Sequence, residues 1–297
     1  MADVLHVACA VEGDYVPHAA AMLHSVLEHT AGAQVAVHYM HGGDTSPGDE
    51  RLLAEMVRAR GGEIEFIVVP DERVAGLPTE GFTGKATWYR LFLPELLPEV
   101  ETVLYLDADL IATDDLRPLW RTDLGDAYLG AVTNVFAPWD VQRAVEIGLS
   151  GPDVYFNAGV LLMNLAAMRA GDSSRELLDF AVANAPNLGW RDQDTLNLVL
   201  GDRRLALHPR WNCMNATHAF READDVFGAA VAEEARRHPA IRHFEGPGQN
   251  KPWHYLADPA ARELYLRHRA ATPWQRFEAE GRTPRNVLRR ATRGLRR

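Results

Sequence analysis

A chain of 297 residues that is 47% hydrophobic and 24% charged is ordinary globular material, able to bury one large core or two small ones. The formal net charge is −10, yet residues 281–297 hold seven Arg and no acid, so an acidic body carries a basic tail. Such a body argues against nucleic acid as the main partner. The greasiest stretch, residues 155–168, is short and carries Asn157 and Asn164, so no membrane-spanning helix is expected. Cys9 and Cys213 are the only cysteines and neither has metal-type spacing, which fits a reducing compartment. The first residues include Asp3, Glu12 and Asp14 with no basic region. No signal peptide is therefore expected, and the cytoplasm is the expected location.

Residues 4–11 read as a strand, followed by a turn at Glu12-Gly13-Asp14-Tyr15 and a helix over residues 17–29 with apolar residues at helical spacing. A second strand spans residues 34–40, a helix opened by Ser46 and Pro47 spans 47–60, and a third strand spans 64–69. This alternation implies a parallel sheet with right-handed crossovers. No G-x-G-x-x-G follows the first strand and no G-x-x-x-x-G-K-[ST] occurs, so neither phosphate-binding fingerprint is present. Residues 71–83 form a Pro- and Gly-containing loop. A helix over 85–93 carries Lys85 and Arg90 and is ended by Pro94 and Pro98.

Residues 101–109, E-T-V-L-Y-L-D-A-D, combine a strand buried on both faces with two carboxylates. In an extended backbone Asp107 and Asp109 leave the same face while Ala108 points away. Both can then reach one cation at the carboxyl edge of the sheet, where open α/β folds bind ligands. A bare D-x-D is also how turn aspartates or a helix cap read, so context has to decide. Beyond it, Asp114 or Asp115 caps a short helical turn to Trp120, residues 127–133 and 157–164 are strands, and 173–184 and 192–200 are helices. A strand over 241–244 leads into H-F-E-G-P-G-Q-N-K-P-W, a ligand-type loop bracketed by His243, Lys251 and Trp253. A last helix covers 259–269. The expected organisation is one α/β domain over 1–270 and a basic tail over 271–297. Of 31 basic side chains only Lys85 and Lys251 are lysines, and both fall in the stretches that carry the candidate site.

Four separated motifs agree in order and spacing: K-A-T-W-Y-R-L-F-L-P with V-L-Y-L-D-A-D, then Y-F-N-A-G-V-L-L-M-N-L, then D-Q-D-T-L-N, then H-F-E-G…K-P-W. Over about residues 4–253 they resemble glycosyltransferase family 8. These are retaining enzymes of the GT-A fold that include bacterial lipopolysaccharide galactosyl- and glucosyltransferases and glycogenin. The resemblance implies a Rossmann-like, mostly parallel sheet flanked by helices. It also implies transfer of galactose or glucose from a UDP-sugar to a hydroxyl of a glycan, glycolipid or other acceptor.

In such an enzyme Asp107, Asp109 and His243 would ligate a divalent metal, and the imidazole favours Mn2+ over Mg2+. Glu12 and Tyr15 match the uracil-binding positions. Ala108 and Lys251, with close backbone approach at Gly246 and Gly248, would hold the diphosphate. The chain reads H-x-x-G-x-x-x-x-K-P-W, two residues longer than the family's usual loop, so either glycine can take the family glycine's role. Arg90, Asn157 and Asp192 would hold the sugar with help from Lys85, while Asn134 stands where similar galactosyltransferases often have Asp. Gln193, beside Asp192, would face the reacting carbon. Asp194 and Asn197 read as structural support. A UDP-sugar-binding module without transfer and a self-glucosylating protein with Tyr265 as internal acceptor are the competing readings. A nucleotidyltransferase would need an N-terminal phosphate loop that this chain lacks. In the tail, Val287, Leu288, Ala291 and Leu295 share one face among arginines. That pattern suits an interfacial helix on anionic membrane serving a lipid-linked acceptor, or equally a solvated tail.

Overall fold

The structure, a computed structural model, describes residues 4–79 and 84–294. Among them are nine strands: β1 Val4–Ala10, β2 Gln34–His41, β3 Glu63–Val68, β4 Thr102–Leu106, β5 Leu110–Ala112, β6 Leu129–Thr133, β7 Phe156–Asn164, β8 Arg204–Ala206 and β9 Ile241–His243. Seven form one sheet in the order β3-β2-β1-β4-β7-β6-β8. Neighbours run parallel except at β7, which is antiparallel to both β4 and β6. The fold is therefore α/β with a mostly parallel sheet. Chain order reverses direction across the sheet between β1 and β4, and at such a switch point the strand ends diverge to leave a crevice.

Alternation along the strands supplies a core on each face. Leu5, Val7 and Cys9 of β1 pack with Val35, Val37 and Tyr39 of β2 beneath the helices α1 (Val16–His29) and α2 (Pro47–Arg58). On the other face Ala8, Val103, Tyr105, Leu161 and Met163 pack with Trp88, Leu91, Leu177 and Leu196. The start of α2 follows from its sequence: the Ser46 hydroxyl accepts from the Asp49 N–H at 3.1 Å, and Pro47 opens the first turn. A cap of this kind contributes about 1 kcal/mol.

Three local expectations change. Lys85–Phe92 is a 3-10 helix in which Ala86 and residues 88–92 are buried. Pro94 does not end it but sits in the first turn of the short α-helix Leu93–Leu96, where a missing N–H costs nothing. The D-A-D leaves the strand: β4 stops at Leu106, and residues 107–109 turn into β5. β5 then pairs antiparallel with β9, setting Leu110 opposite His243.

The helix Pro259–Arg269 packs on α1, and a small cluster of Ala21, Ile111, Phe244, Trp253 and Tyr265 fills the junction. Glu280 folds back onto the body, donating its N–H to the Trp253 carbonyl at 3.0 Å and accepting from the Tyr255 N–H at 2.7 Å. Beyond it the helix Pro284–Gly294 leaves Val287 and Leu288 exposed, while Leu295 lies outside the described residues. No helix of the described residues is long and apolar enough to cross a membrane.

His18 links these parts. Its ring stacks on Trp253 with centroids 3.6 Å apart, and its Nδ1 lies 2.6 Å from the Tyr265 hydroxyl. Burial pushes its pKa from 6.5 down to about 3. Between those values only the unfolded chain takes up the proton, so this group's contribution to stability is lost as the pH falls below 6.5. The stability advantage of the native protein over His18→Gln is therefore expected to shrink by about 2 kcal/mol on going from neutrality to roughly pH 5. Urea denaturation at both values measures it, and a constant difference would mean that native His18 titrates normally.

Candidate active site

The crevice beyond β1 and β4 gathers carboxylates that the fold cannot leave uncompensated. Asp107 Oδ1 accepts from the Tyr105 hydroxyl at 3.0 Å and lies 3.0 Å from Arg90 Nη2. Its Oδ2 faces His243 Nε2 at 4.0 Å. Asp109 offers Oδ1 to the same Nε2 at 3.3 Å, while its Oδ2 takes the Lys251 ammonium. Backbone bonds hold the turn, with the Asp107 N–H on the Gly159 carbonyl and the Phe244 N–H on the Asp109 carbonyl, both at 2.9 Å. Ala108 between them is buried in the core. Burial alone would raise the Asp109 pKa, but Lys251 and His243 outweigh it and hold the carboxyl below its ordinary range.

His243 is oriented from behind by a chain of amides. Its Nδ1 donates to Asn212 Oδ1 at 2.9 Å, because the Asn212 amide nitrogen is already committed to Asn157 Oδ1 at 2.8 Å. Asn157 Oδ1 also accepts from the Gly159 N–H at 3.0 Å, and its Nδ2 reaches Asn134 Oδ1 at 3.4 Å. The proton on Nδ1 turns Nε2 toward the carboxylates. Gly159 itself allows the approach, since a Cβ there would meet His243 Nδ1 and Asp107 Oδ2, each at 2.9 Å. Burial disfavours the His243 cation, but Asp109 outweighs that and holds its pKa above the ordinary histidine value.

Arg90 is the second hub. Its buried guanidinium bridges Asp107 and Asp192, with Nε 3.0 Å from Asp192 Oδ2, and donates to the Ala158 carbonyl. It lies 4.4 Å above the Tyr105 ring. Burial opposes its charge, yet the neighbouring Asp107 raises its pKa above the ordinary value. Asp192 does not cap its helix, Arg191–Leu200. Burial lifts its carboxyl from 3.8 to about 6, against the pull of Arg90. Gln193 accepts the Ala158 N–H at Oε1, 2.9 Å, and donates from Nε2 to the Tyr155 hydroxyl at 3.2 Å. Asp194 takes the Tyr155 hydroxyl and the Arg143 guanidinium, and Asn197 satisfies both backbone polar groups of Phe156. Arg191, which opens this helix, has φ 50, a strained value for a residue other than glycine.

At the far side Glu12 Oε1 accepts the Ala86 N–H at 3.0 Å, and Tyr15, 38% exposed, stands edge-on to Trp253 at 5.7 Å. Both Gly246, with φ 82, and Gly248, with φ 60, occupy left-handed backbone, so the longer loop needs glycine at each. Lys85, next to the Ala86 that Glu12 holds, pairs with Asp71 at 2.7 Å. Sequence reading overlooked Asn212, Tyr105, Tyr155 and Gly159. Gly159 alone carried a signal, as a glycine inside a buried strand marks close approach.

Asp107, Asp109 and His243 each offer one ligand atom within 4.8 Å of the others, a group that could hold a divalent ion. The pattern of glycosyl transferase family 8 matches residues 6–257. The chain belongs to that family. General stress protein A of Bacillus subtilis is 25% identical over 277 residues, covering 92% of this chain and 95% of that protein. Probable galacturonosyltransferase-like 9 of Arabidopsis thaliana is 26% identical over 85% of this chain and 67% of its own length. Among solved structures, the galactosyltransferase LgtC, determined with donor and acceptor sugar analogs, superposes with a TM-score of 0.80 at 28% identity. That match covers 91% of this chain and 96% of LgtC. The protein is thus a glycosyltransferase of the GT-A fold.

Removing Arg90 would strand Asp107 and Asp192 in a buried crevice. Breaking such a pair costs about 3–5 kcal/mol, so Arg90→Met is expected to lower unfolding free energy by that amount. Urea denaturation without ligands tests it, and a loss within 1 kcal/mol or so would mean that water reaches these carboxylates.

Proposed function

We propose that this protein is a retaining, Mn2+-dependent hexosyltransferase that moves galactose or glucose from a UDP-sugar to an acceptor hydroxyl. The observation that carries the reading is the convergence of Asp107, Asp109 and His243 with Lys251 and Arg90 at the switch-point crevice. The donor set fits a divalent cation: two carboxylates and one imidazole whose Nδ1 proton is tied to Asn212. An imidazole among the ligands favours Mn2+ over Mg2+. When bound, the ion would neutralise the diphosphate and act as a Lewis acid toward departing UDP.

The chain's own residues divide the remaining work. Glu12 accepts the uracil N–H and Tyr15 packs on the base. The Lys251 ammonium exchanges Asp109 for a phosphate oxygen, and the backbone at Ala108, Gly246 and Gly248 approaches the diphosphate. Arg90 holds Asp192 for the sugar hydroxyls, supported by Asn157 and Asn134. Gln193 Oε1, already accepting the Ala158 N–H, steadies positive charge developing at the anomeric carbon. The acceptor oxygen bonds to that carbon on the face from which UDP leaves, and the departing phosphate oxygen takes the acceptor proton.

The self-glucosylating alternative finds no support, because Tyr265 is 2% exposed and its hydroxyl is held by His18 and Arg269. The acceptor class we infer is a glycan, glycolipid or small hydroxyl compound. The arginine-rich helix Pro284–Gly294, with Val287 and Leu288 exposed, supports a peripheral contact with anionic membrane. Co-sedimentation with anionic vesicles should then fall when residues 282–297 are removed, and equal pelleting would end that role.

A thermal-shift panel of UDP-galactose, UDP-glucose, UDP-N-acetylglucosamine and GDP-mannose with Mn2+, Mg2+ or EDTA tests the donor. Ligand at about 100 times its Kd stabilises by about 2.7 kcal/mol, so a Mn2+-dependent rise with one UDP-hexose is expected. Asn212→Ala, which frees His243 Nδ1, should weaken Mn2+ binding about 10–100-fold. Gln193→Ala should lower kcat with little change in that shift. No shift with any UDP-sugar would overturn the assignment.

A further inference from the structure

A second group of metal-type side chains lies away from the crevice, where α1 meets the helix Pro259–Arg269. His24 and Glu28 are four residues apart on α1 and so share one face. His268 approaches them from the other helix, its Nδ1 3.1 Å from His24 Nδ1 and 3.3 Å from Glu28 Oε2. The three ligand atoms lie within 4.8 Å of one another. His24 and His268 are buried, at 4% and 1% exposed, while the Glu28 side chain is 52% exposed and opens the group to solvent.

From these contacts we infer a zinc site formed by His24 Nδ1, His268 Nδ1 and Glu28, with its remaining position open to water. Zinc–nitrogen bonds of about 2.0–2.1 Å place tetrahedral ligand atoms about 3.3 Å apart. The separations of 3.1 and 3.3 Å are close to that edge, and the remaining His24–Glu28 edge lies within 4.8 Å. Two nitrogens and one oxygen form a softer set than the two oxygens and one nitrogen of the crevice, and they favour zinc over manganese. Zinc needs neutral imidazoles. Burial, with Arg60 beside His24, lowers the pKa of His24, and burial pushes that of His268 down to about 4. Nδ1 is the His268 ring atom that faces the group, while its Nε2 is buried without a protein partner.

An ion here would clamp the second helix onto α1. That helix carries Tyr265, which holds His18, and His18 supports Trp253 beside Lys251. The clamp would therefore stiffen the segment that closes the crevice, without sharing a ligand with it.

The test uses the full chain stripped of metal and titrated with Zn2+ by calorimetry, in the native protein and in Asp109→Asn, which disables the crevice ligands. One zinc per chain should remain in Asp109→Asn, and its thermal stabilisation should remain as well. Adding Glu28→Gln at the exposed position, which leaves the packed histidines in place, should weaken that zinc by more than the about 10–100-fold that an outer partner costs. Adding His268→Gln should abolish it. Co2+ bound to Asp109→Asn should show the intense visible bands of a tetrahedral site, lost in the double variants. Zinc binding that vanishes with Asp109→Asn alone, or that survives both Glu28→Gln and His268→Gln unchanged, would overturn the inference.

Discussion

Keeping several carboxylates charged beneath the protein surface is the constraint on which this structure turns. Asp107, Asp109 and Asp192 lie in one crevice, and isolated burial of each would cost several kcal/mol. The fold answers with Arg90 from one segment and His243 and Lys251, which bracket a single loop, from another far along the chain. Because each cation serves a different carboxylate oxygen, the segments cannot shift independently. Assembling the crevice and closing the tertiary fold are the same event.

The short β5–β9 pair does more than its three residues per strand suggest. By carrying the chain out of the turn at 107–109 and pairing Leu110 with His243, it delivers an imidazole from the C-terminal third to a strand end in the first half. The amide chain through Asn212, Asn157 and Asn134 then decides which ring nitrogen faces the acids. A histidine so held cannot rotate away without leaving buried amides unpaired, each a loss of about 1–3 kcal/mol. Positioning of the imidazole therefore comes from a chain of hydrogen-bonded amides behind it.

Aromatic packing secures the remaining wall. Trp253 is pressed between His18 below and Tyr15 at its edge, so the loop that carries Lys251 is anchored on α1. The two left-handed glycines ahead of Lys251 take the turn of the longer loop. The cation at the end of this loop is fixed by Asp109 and the Phe244 carbonyl.

The sequence alone determined seven of the nine described strands, missing β5 and β8, together with the alternation of elements, the family and the chemically distinctive residues. Apolar periodicity and the spacing of Asp107, Asp109, His243 and Lys251 are local properties, legible from neighbours in the chain. It did not reveal that Lys85–Phe92 tightens to a 3-10 helix, that the D-A-D is a turn, or that Lys85 turns to Asp71. Nor did it mark Asn212, an ordinary asparagine in an irregular stretch, or the meeting of His24 and Glu28 with His268. Those outcomes rest on contacts between segments tens to hundreds of residues apart, where burial and hydrogen-bond satisfaction override local preference. Tertiary structure alone decides which proton, which oxygen and which partner each side chain has.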